Sequence, residues 1–379
     1  MPLFQKEIAL KLDIPENIEN IKPYPPGKPL DELEREYGIT DSIKLASNEN
    51  PWGASPKAIK AIGESLGDMQ RYPDGSAYYL TEAIAKYAGV GMSEIILGNG
   101  SNEVIEFLVK AFVQDDSEVI TSHPSFLMYQ KFVQVRGGVN RVIPLKDMHH
   151  DLQTILDTVN EKTRLIFIDN PNNPTGTYLE PELLIDFINS LPEHVILVLD
   201  EAYVDFMDLD KWLDVPSLIK NQAGRCGIVS LRTFSKAYGL SGLRVGFGLM
   251  AEEIVTCLHK VRQPFNVNSL AQVGALAALG DVDFYEQTLL KNRQGMKWLM
   301  KEIKGLGCEP FASQTNFFLI DVQGNADKLY TEMLYKGVII RSMSAYGYPH
   351  YIRVTVGTTV ENKRFLKALS DCLKELNYV

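Results

Sequence analysis

Short unbroken apolar runs alternate along this chain with stretches whose apolar residues recur every three to four positions. The runs predict strands at Glu94 to Leu97, Glu118 to Ser122, Arg164 to Asp169, Val195 to Asp200, Gly227 to Arg232 and Arg244 to Met250. The recurring stretches predict helices at Asn102 to Val113, Pro181 to Leu191 and Glu252 to Arg262, after an earlier one that Ser55 caps and Pro56 opens. Strands that are apolar throughout and separated by helices need crossover connections, which implies α/β architecture with a largely parallel sheet covered on both faces. From about Gly280 the texture changes to one long charged helix, Phe284 to Leu306, then strands at Asn316 to Asp321, Val338 to Arg341 and Tyr351 to Val356. A second, smaller α/β domain is expected there. The first 50 residues are rich in proline and charge, and the prolines between Lys22 and Pro29 lack donors and fix φ, so this segment reads as an extended arm. The expected division is 1–50 as arm and part of the small domain, 51–274 as large domain and 275–379 as small domain.

Composition narrows the function classes. With 45 % apolar and 23 % charged residues in 379, the chain is expected to be a soluble globular protein rather than disordered or fibrous. Its apolar runs are far shorter than the roughly 18 to 20 residues of a membrane span, and Met1 to Leu12 lacks a signal-peptide core, so a cytoplasmic protein without membrane contact is expected. A net charge of −10 argues against nucleic-acid partners, because phosphate backbones need clustered Lys and Arg. A small anionic ligand would require a local exception to that sign. Cys226, Cys257, Cys308 and Cys372 are widely spaced, so neither a zinc site nor a disulfide framework is expected. His149 and His150, adjacent in a polar stretch, read as part of a solvated loop.

The candidate chemistry lies just after strand ends, where α/β sheets bind ligands. Asp200 closes an apolar run, so its carboxylate emerges at that edge. The run Asn170 to Gly176 holds more turn formers than a connection requires, and its amides could serve a ligand. Lys236 follows a third strand within Thr233-Phe234-Ser235-Lys236, and Arg244 comes eight residues later. Taken singly, Lys236 would be a solvated surface lysine and Asp200 a strand-end cap. Together, Asn173, Asp200, Lys236 and Arg244 arrive at one sheet edge and suggest a Schiff-base lysine, a phosphate anchor and a pyridinium partner, the protein's half of pyridoxal phosphate (PLP) chemistry.

Four stretches, Asn48 to Pro51, Asn170 to Gly176, Asp200 to Tyr203 and Thr233 to Arg244, closely resemble the motifs of fold-type I PLP aminotransferases in order and spacing. Within that superfamily, the arm at 23–29, Arg71-Tyr72-Pro73-Asp74 and Arg353 to Thr358 resemble the histidinol-phosphate aminotransferase family. The resemblance implies a mainly parallel seven-stranded sheet between helices. It implies that Lys236 carries PLP and acts as base and acid, Asp200 pairs with the pyridinium nitrogen, Asn173 and Tyr203 bond the 3′-oxygen, and Phe126 stacks on the ring. Relatives often carry Tyr where Phe126 stands, and core packing would equally suit this Phe. The phosphate would be held by the amides of Ser101 and Asn102 at a helix start, by Ser235 and Arg244, and by Tyr72 of a partner subunit in a homodimer with shared active sites. Ser101 would equally serve as a plain helix cap.

Arg353, Arg341 and Tyr24 match the groups that bind the substrate's anionic end, though Arg341 alone would suit a surface role. The implied substrates are histidinol phosphate and the glutamate/2-oxoglutarate pair, bound alternately. Rival readings are an aromatic amino-acid aminotransferase on the same scaffold, a PLP lyase resembling threonine-phosphate decarboxylase, and a non-catalytic ligand-binding module. Intact Lys236, Asp200 and Arg244 count against the last.

Overall fold

The computed structural model describes residues 12–23, 28–221 and 227–378. In chain order the first strand, β1 (Ile43–Lys44), belongs to a minor sheet. The principal sheet consists of β2 (Ile95–Gly98), β3 (Glu118–His123), β4 (Val139–Pro144), β5 (Thr163–Asp169), β6 (Ile196–Asp200), β7 (Gly227–Thr233) and β8 (Gly246–Met250). Its spatial order is β2-β8-β7-β6-β5-β3-β4, parallel except for β8, which runs antiparallel to both neighbours. The unbroken apolar runs have a direct physical cause. On β5, Leu165 and Phe167 pack on one face with Val104, Phe107 and Leu108 of the helix Ser101–Phe112, while Ile166 and Ile168 pack on the other with Leu184, Phe187 and Ile188 of Pro181–Ser190. A strand buried on both sides has no polar face to alternate with.

The second unit holds β9 (Glu309–Pro310), β10 (Phe317–Asp321), β11 (Val338–Ile339), β12 (Arg341–Ser342) and β13 (Tyr351–Thr355). Here β12, β13, β10 and β9 form an antiparallel sheet, whereas β11 pairs in parallel with β1, Ile43 opposite Val338. The long helix Val282–Gly305 buries Met296, Leu299 and Ile303, at helical spacing, in the core of this unit. Its other end is tied to the first: Ser55 Oγ donates to Asp281 at 2.6 Å, and Tyr285 OH donates to Asp205 at 2.8 Å.

Several expectations are corrected. The single strand predicted at Val338 to Arg341 is two strands in different sheets, divided at Ile340. Val338, Ile339 and Ile340 are all buried, so the apolar run continues while the backbone changes partner. The strand predicted from Arg244 begins at Gly246, because Arg244 adopts a left-handed conformation (φ 57°) that a strand cannot contain. β4 went unpredicted because it is a sheet edge whose side chains are mostly exposed, among them Arg141. The helices Tyr78–Ala88, Met128–Arg136, Leu152–Thr158 and Ser269–Leu279 were also unforeseen. His150 is not solvated; it is 6 % exposed and packs beneath the carboxyl end of β5. Among the described residues no helix is long and apolar enough to cross a membrane.

Candidate active site

Parallel strands deliver their last residues to one edge, and here that edge carries the chemistry. β5 and β6 end side by side at Asp169 and Asp200, which are paired in register. β7 ends at Thr233, whose hydroxyl accepts from the amide of Ser235 and donates to its side chain, fixing the turn that presents Lys236. The chain then returns through Arg244 to β8. Glycines at 100 and 246 permit the next contact: a Cβ on Gly100 (φ 78°) would stand 2.8 Å from the Arg244 guanidinium, and one on Gly246 would stand 2.4 Å from the Ser101 amide. Arg244 therefore lies against the first turn of Ser101–Phe112, whose amide groups have no carbonyl partners within the helix.

A cleft of about 470 Å³ opens at this edge. The structure brings Ser101, Asn102, Phe126, Asn173, Asp200 and Tyr203 together in its lining with Ser235, Lys236, Arg244, Arg341 and Arg353. Two candidates stand apart. Tyr72 is 84 % exposed, stacks on Phe265 with ring centroids 5.0 Å apart, and does not line the cleft of its own chain. Tyr24 lies outside the described residues.

The electrostatics run from cationic to anionic across the cleft. Burial, the nearby Arg353 and then Arg244 depress the Lys236 amine to about 8, against the opposing pull of Glu49 and Asp200. Burial and the negative charge of Asp169 push the Asp200 carboxyl up to about 7, although Tyr129 OH at 2.7 Å and the Ala202 amide at 3.1 Å both donate to it. Burial likewise pushes the Tyr203 phenol up to about 12. Its oxygen accepts from Asn48 Nδ2 at 2.8 Å and from Asn173 Nδ2 at 3.5 Å.

The far wall comes from the second unit. Arg341 on β12 and Arg353 on β13 are register partners, which puts two guanidinium-bearing side chains on one face of that sheet. Arg353 is held by the Ala46 carbonyl at 2.9 Å, by Asn173 Oδ1 and by the ring of Phe317, its guanidinium 5.0 Å from the centroid. Sequence reasoning missed Asn48, Tyr129, Asp169 and Tyr346, all of which line the cleft. Asn48 carried a signal, since its φ of 55° suits asparagine and it opens a quoted motif. Tyr129, three residues after Phe126 in an apolar helical stretch, gave none beyond its hydroxyl.

Comparison with known proteins decides the family. The family described as aminotransferase class I and II matches residues 40–369. The chain belongs to that aminotransferase family. Among similar aminotransferases, histidinol-phosphate aminotransferase 2 of Carboxydothermus hydrogenoformans is 46 % identical over 359 residues, 95 % of this chain and 99 % of that one. The crystal structure of histidinol-phosphate aminotransferase from Sinorhizobium meliloti in complex with pyridoxal-5'-phosphate superposes with a TM-score of 0.89 at 26 % identity, covering 98 % of this chain and all of the other. L-threonine-O-3-phosphate decarboxylase from Porphyromonas gingivalis gives 0.77 at 25 %, covering 88 % and 99 %.

PLP is the cofactor of this aminotransferase family, and the residues present fit it. The Gly100 cradle leaves room beside Arg244, and a buried carboxylate faces a depressed lysine across the cleft. That donor set suits a molecule with a phosphate at one end and a basic ring nitrogen at the other.

Proposed function

We propose that this aminotransferase moves an amino group between L-histidinol phosphate and 2-oxoglutarate, yielding 3-(imidazol-4-yl)-2-oxopropyl phosphate and L-glutamate. The observation that carries the reading is the register pairing of Arg341 with Arg353 across the cleft from Lys236. A dianionic phosphate suits two guanidinium groups, and the carboxylate of glutamate suits one.

PLP supplies an electron sink that stabilises negative charge at the substrate's Cα. Lys236 would hold the cofactor, and its freed amine would move a proton to and from the substrate's Cα. An amine that titrates at about 8 is neutral often enough near neutral pH to act as that base. Asp200 supplies the carboxylate partner of the ring nitrogen, and Asn173 and Tyr203 bond the 3′-oxygen. The amides of Ser101 and Asn102 bind the cofactor phosphate with Ser235 and Arg244, while Phe126 packs on the ring face. Arg353 and Arg341 orient the substrate's anionic end.

The partner's contribution is Tyr72, supported by its exposure and its stacking on the exposed ring of Phe265, which together form an apolar patch. A homodimer that buries this patch carries each Tyr72 to the neighbouring cleft, so the two sites are shared.

A single-turnover half-reaction tests the substrate. The PLP-loaded protein is mixed with histidinol phosphate, phenylalanine or threonine phosphate, and the absorbance of the bound cofactor is followed. Rapid conversion to its amine form by histidinol phosphate is expected. Faster conversion by phenylalanine, or carbon dioxide release from threonine phosphate, overturns the assignment.

A further inference from the structure

Beneath the cleft lies a buried polar network in which the Asp169 carboxylate accepts three hydrogen bonds. Ser125 Oγ donates to its Oδ1 at 2.7 Å and Asn172 Nδ2 at 3.1 Å, while the Asn173 amide donates to its Oδ2 at 2.8 Å. His150 Nε2 lies 3.1 Å from the Asp169 backbone carbonyl oxygen and 3.2 Å from Oδ1, and its Nδ1 lies 2.7 Å from Ser122 Oγ. Asp169 is 4 % exposed and His150 6 %. A carboxylate taken so far out of water is costly unless donors meet it, and three donors do, with His150 beside them. The network therefore keeps a charge at a place where an apolar side chain would pack more simply.

Two features give that charge a use. Asp169 sits in register beside Asp200 on the neighbouring strand, so its field acts on the same pocket. It also holds the Asn173 amide, and the Asn173 side chain reaches both Tyr203 OH and Arg353. The other titratable groups facing it are His150 from the loop after β4, Asp200 on β6, Tyr203 just beyond β6 and Tyr129 on Met128–Arg136.

We propose that Asp169, braced by His150, is a positioning residue of this site: it fixes the Asn173 turn and adds a second negative charge that favours the protonated form of the bound cofactor. The inference rests on the reading of the cleft as a PLP site and goes beyond the residues that touch the cofactor. Removing a negative charge destabilises a nearby protonated cation, so the titration midpoint of the cofactor's visible absorbance falls.

The test uses the PLP-loaded full chain. Asp169→Asn is expected to lower that midpoint by about half to one pH unit and to weaken PLP binding about tenfold. A purely structural residue would instead lower the melting temperature and leave the midpoint in place, and that result overturns the proposal. A second pair stands independently, should Asp169→Asn not fold. His150→Ala is expected to weaken PLP binding about tenfold, and His150→Gln, which keeps a donor toward Asp169, to recover most of it. Wild-type affinity in both His150 variants overturns the bracing role. Absence of PLP binding by the unaltered chain would overturn the cofactor reading itself, whereas normal binding with unmoved variants overturns this inference alone.

Discussion

A buried amine whose pKa falls to about 8 is neutral across a range where an ordinary lysine is charged. Only the neutral amine attacks an aldehyde, so the rate at which apoprotein takes up PLP covalently should rise with pH and level off just above 8. Stopped-flow absorbance across the pH range checks this, and a rate still climbing toward 10.5 would contradict the depressed value. The sign for stability follows from the same numbers. The unfolded chain binds the extra proton between about 8 and 10.5, so Lys236 adds stability as pH rises through that window. Lys236→Ala should reduce turnover by at least about a thousandfold while retaining non-covalent PLP, read by dialysis and absorbance. At this scale the sequence was informative where chemistry repeats a motif, as at Asn173, Asp200 and Lys236. It was silent at Asp169 and misleading at His150, where a carboxylate and an imidazole meet only because the end of β5 and the loop after β4 fold against one another.

Elements were legible where burial is uniform and obscure where it is mixed. β5 and β6 are buried on both faces, so their apolar runs announce them, and Pro56 after Ser55 marks a helix start that the structure shows at Pro56–Ser65. The helix Met128–Arg136 buries only Tyr129 and Val133 among its described side chains, too thin a stripe to read. Ser55 does more than cap its helix. Its oxygen accepts from the Ala58 amide at 3.2 Å while its hydroxyl donates to Asp281, which precedes the long helix Val282–Gly305. Ser55→Ala removes both bonds from a fully buried position, and should cost about 2 kcal/mol. Urea denaturation measures that loss, and Ser55→Thr, which keeps the hydroxyl, should lose less.

At the scale of the whole molecule, an acidic chain gathers Arg244, Arg341, Arg353 and Lys236 around one cleft that draws on both units. The net charge could exclude nucleic acid as an expected partner but could not locate this exception. Nor could the sequence say whether Tyr72 faces its own site; the structure turns it outward. The proposed dimer gives that orientation a use, and sedimentation should report twice the mass of one chain. Tyr72→Phe should then weaken PLP about tenfold without changing that mass, as measured by equilibrium titration.

The pairing of β1 with β11 joins residue 43 to residue 338, and the Ser47–Glu49 segment that follows β1 lines the cleft. On a ribosome the early partner must wait for the late one. At about 5 to 20 residues per second that delay is roughly a quarter of a minute to a minute. The large sheet can form during this interval, but the cleft cannot close, so a truncated chain has no complete site with which to engage substrate. Competence for catalysis thus waits until residue 338 has been made, and β1 serves as a seal that only β11 can set.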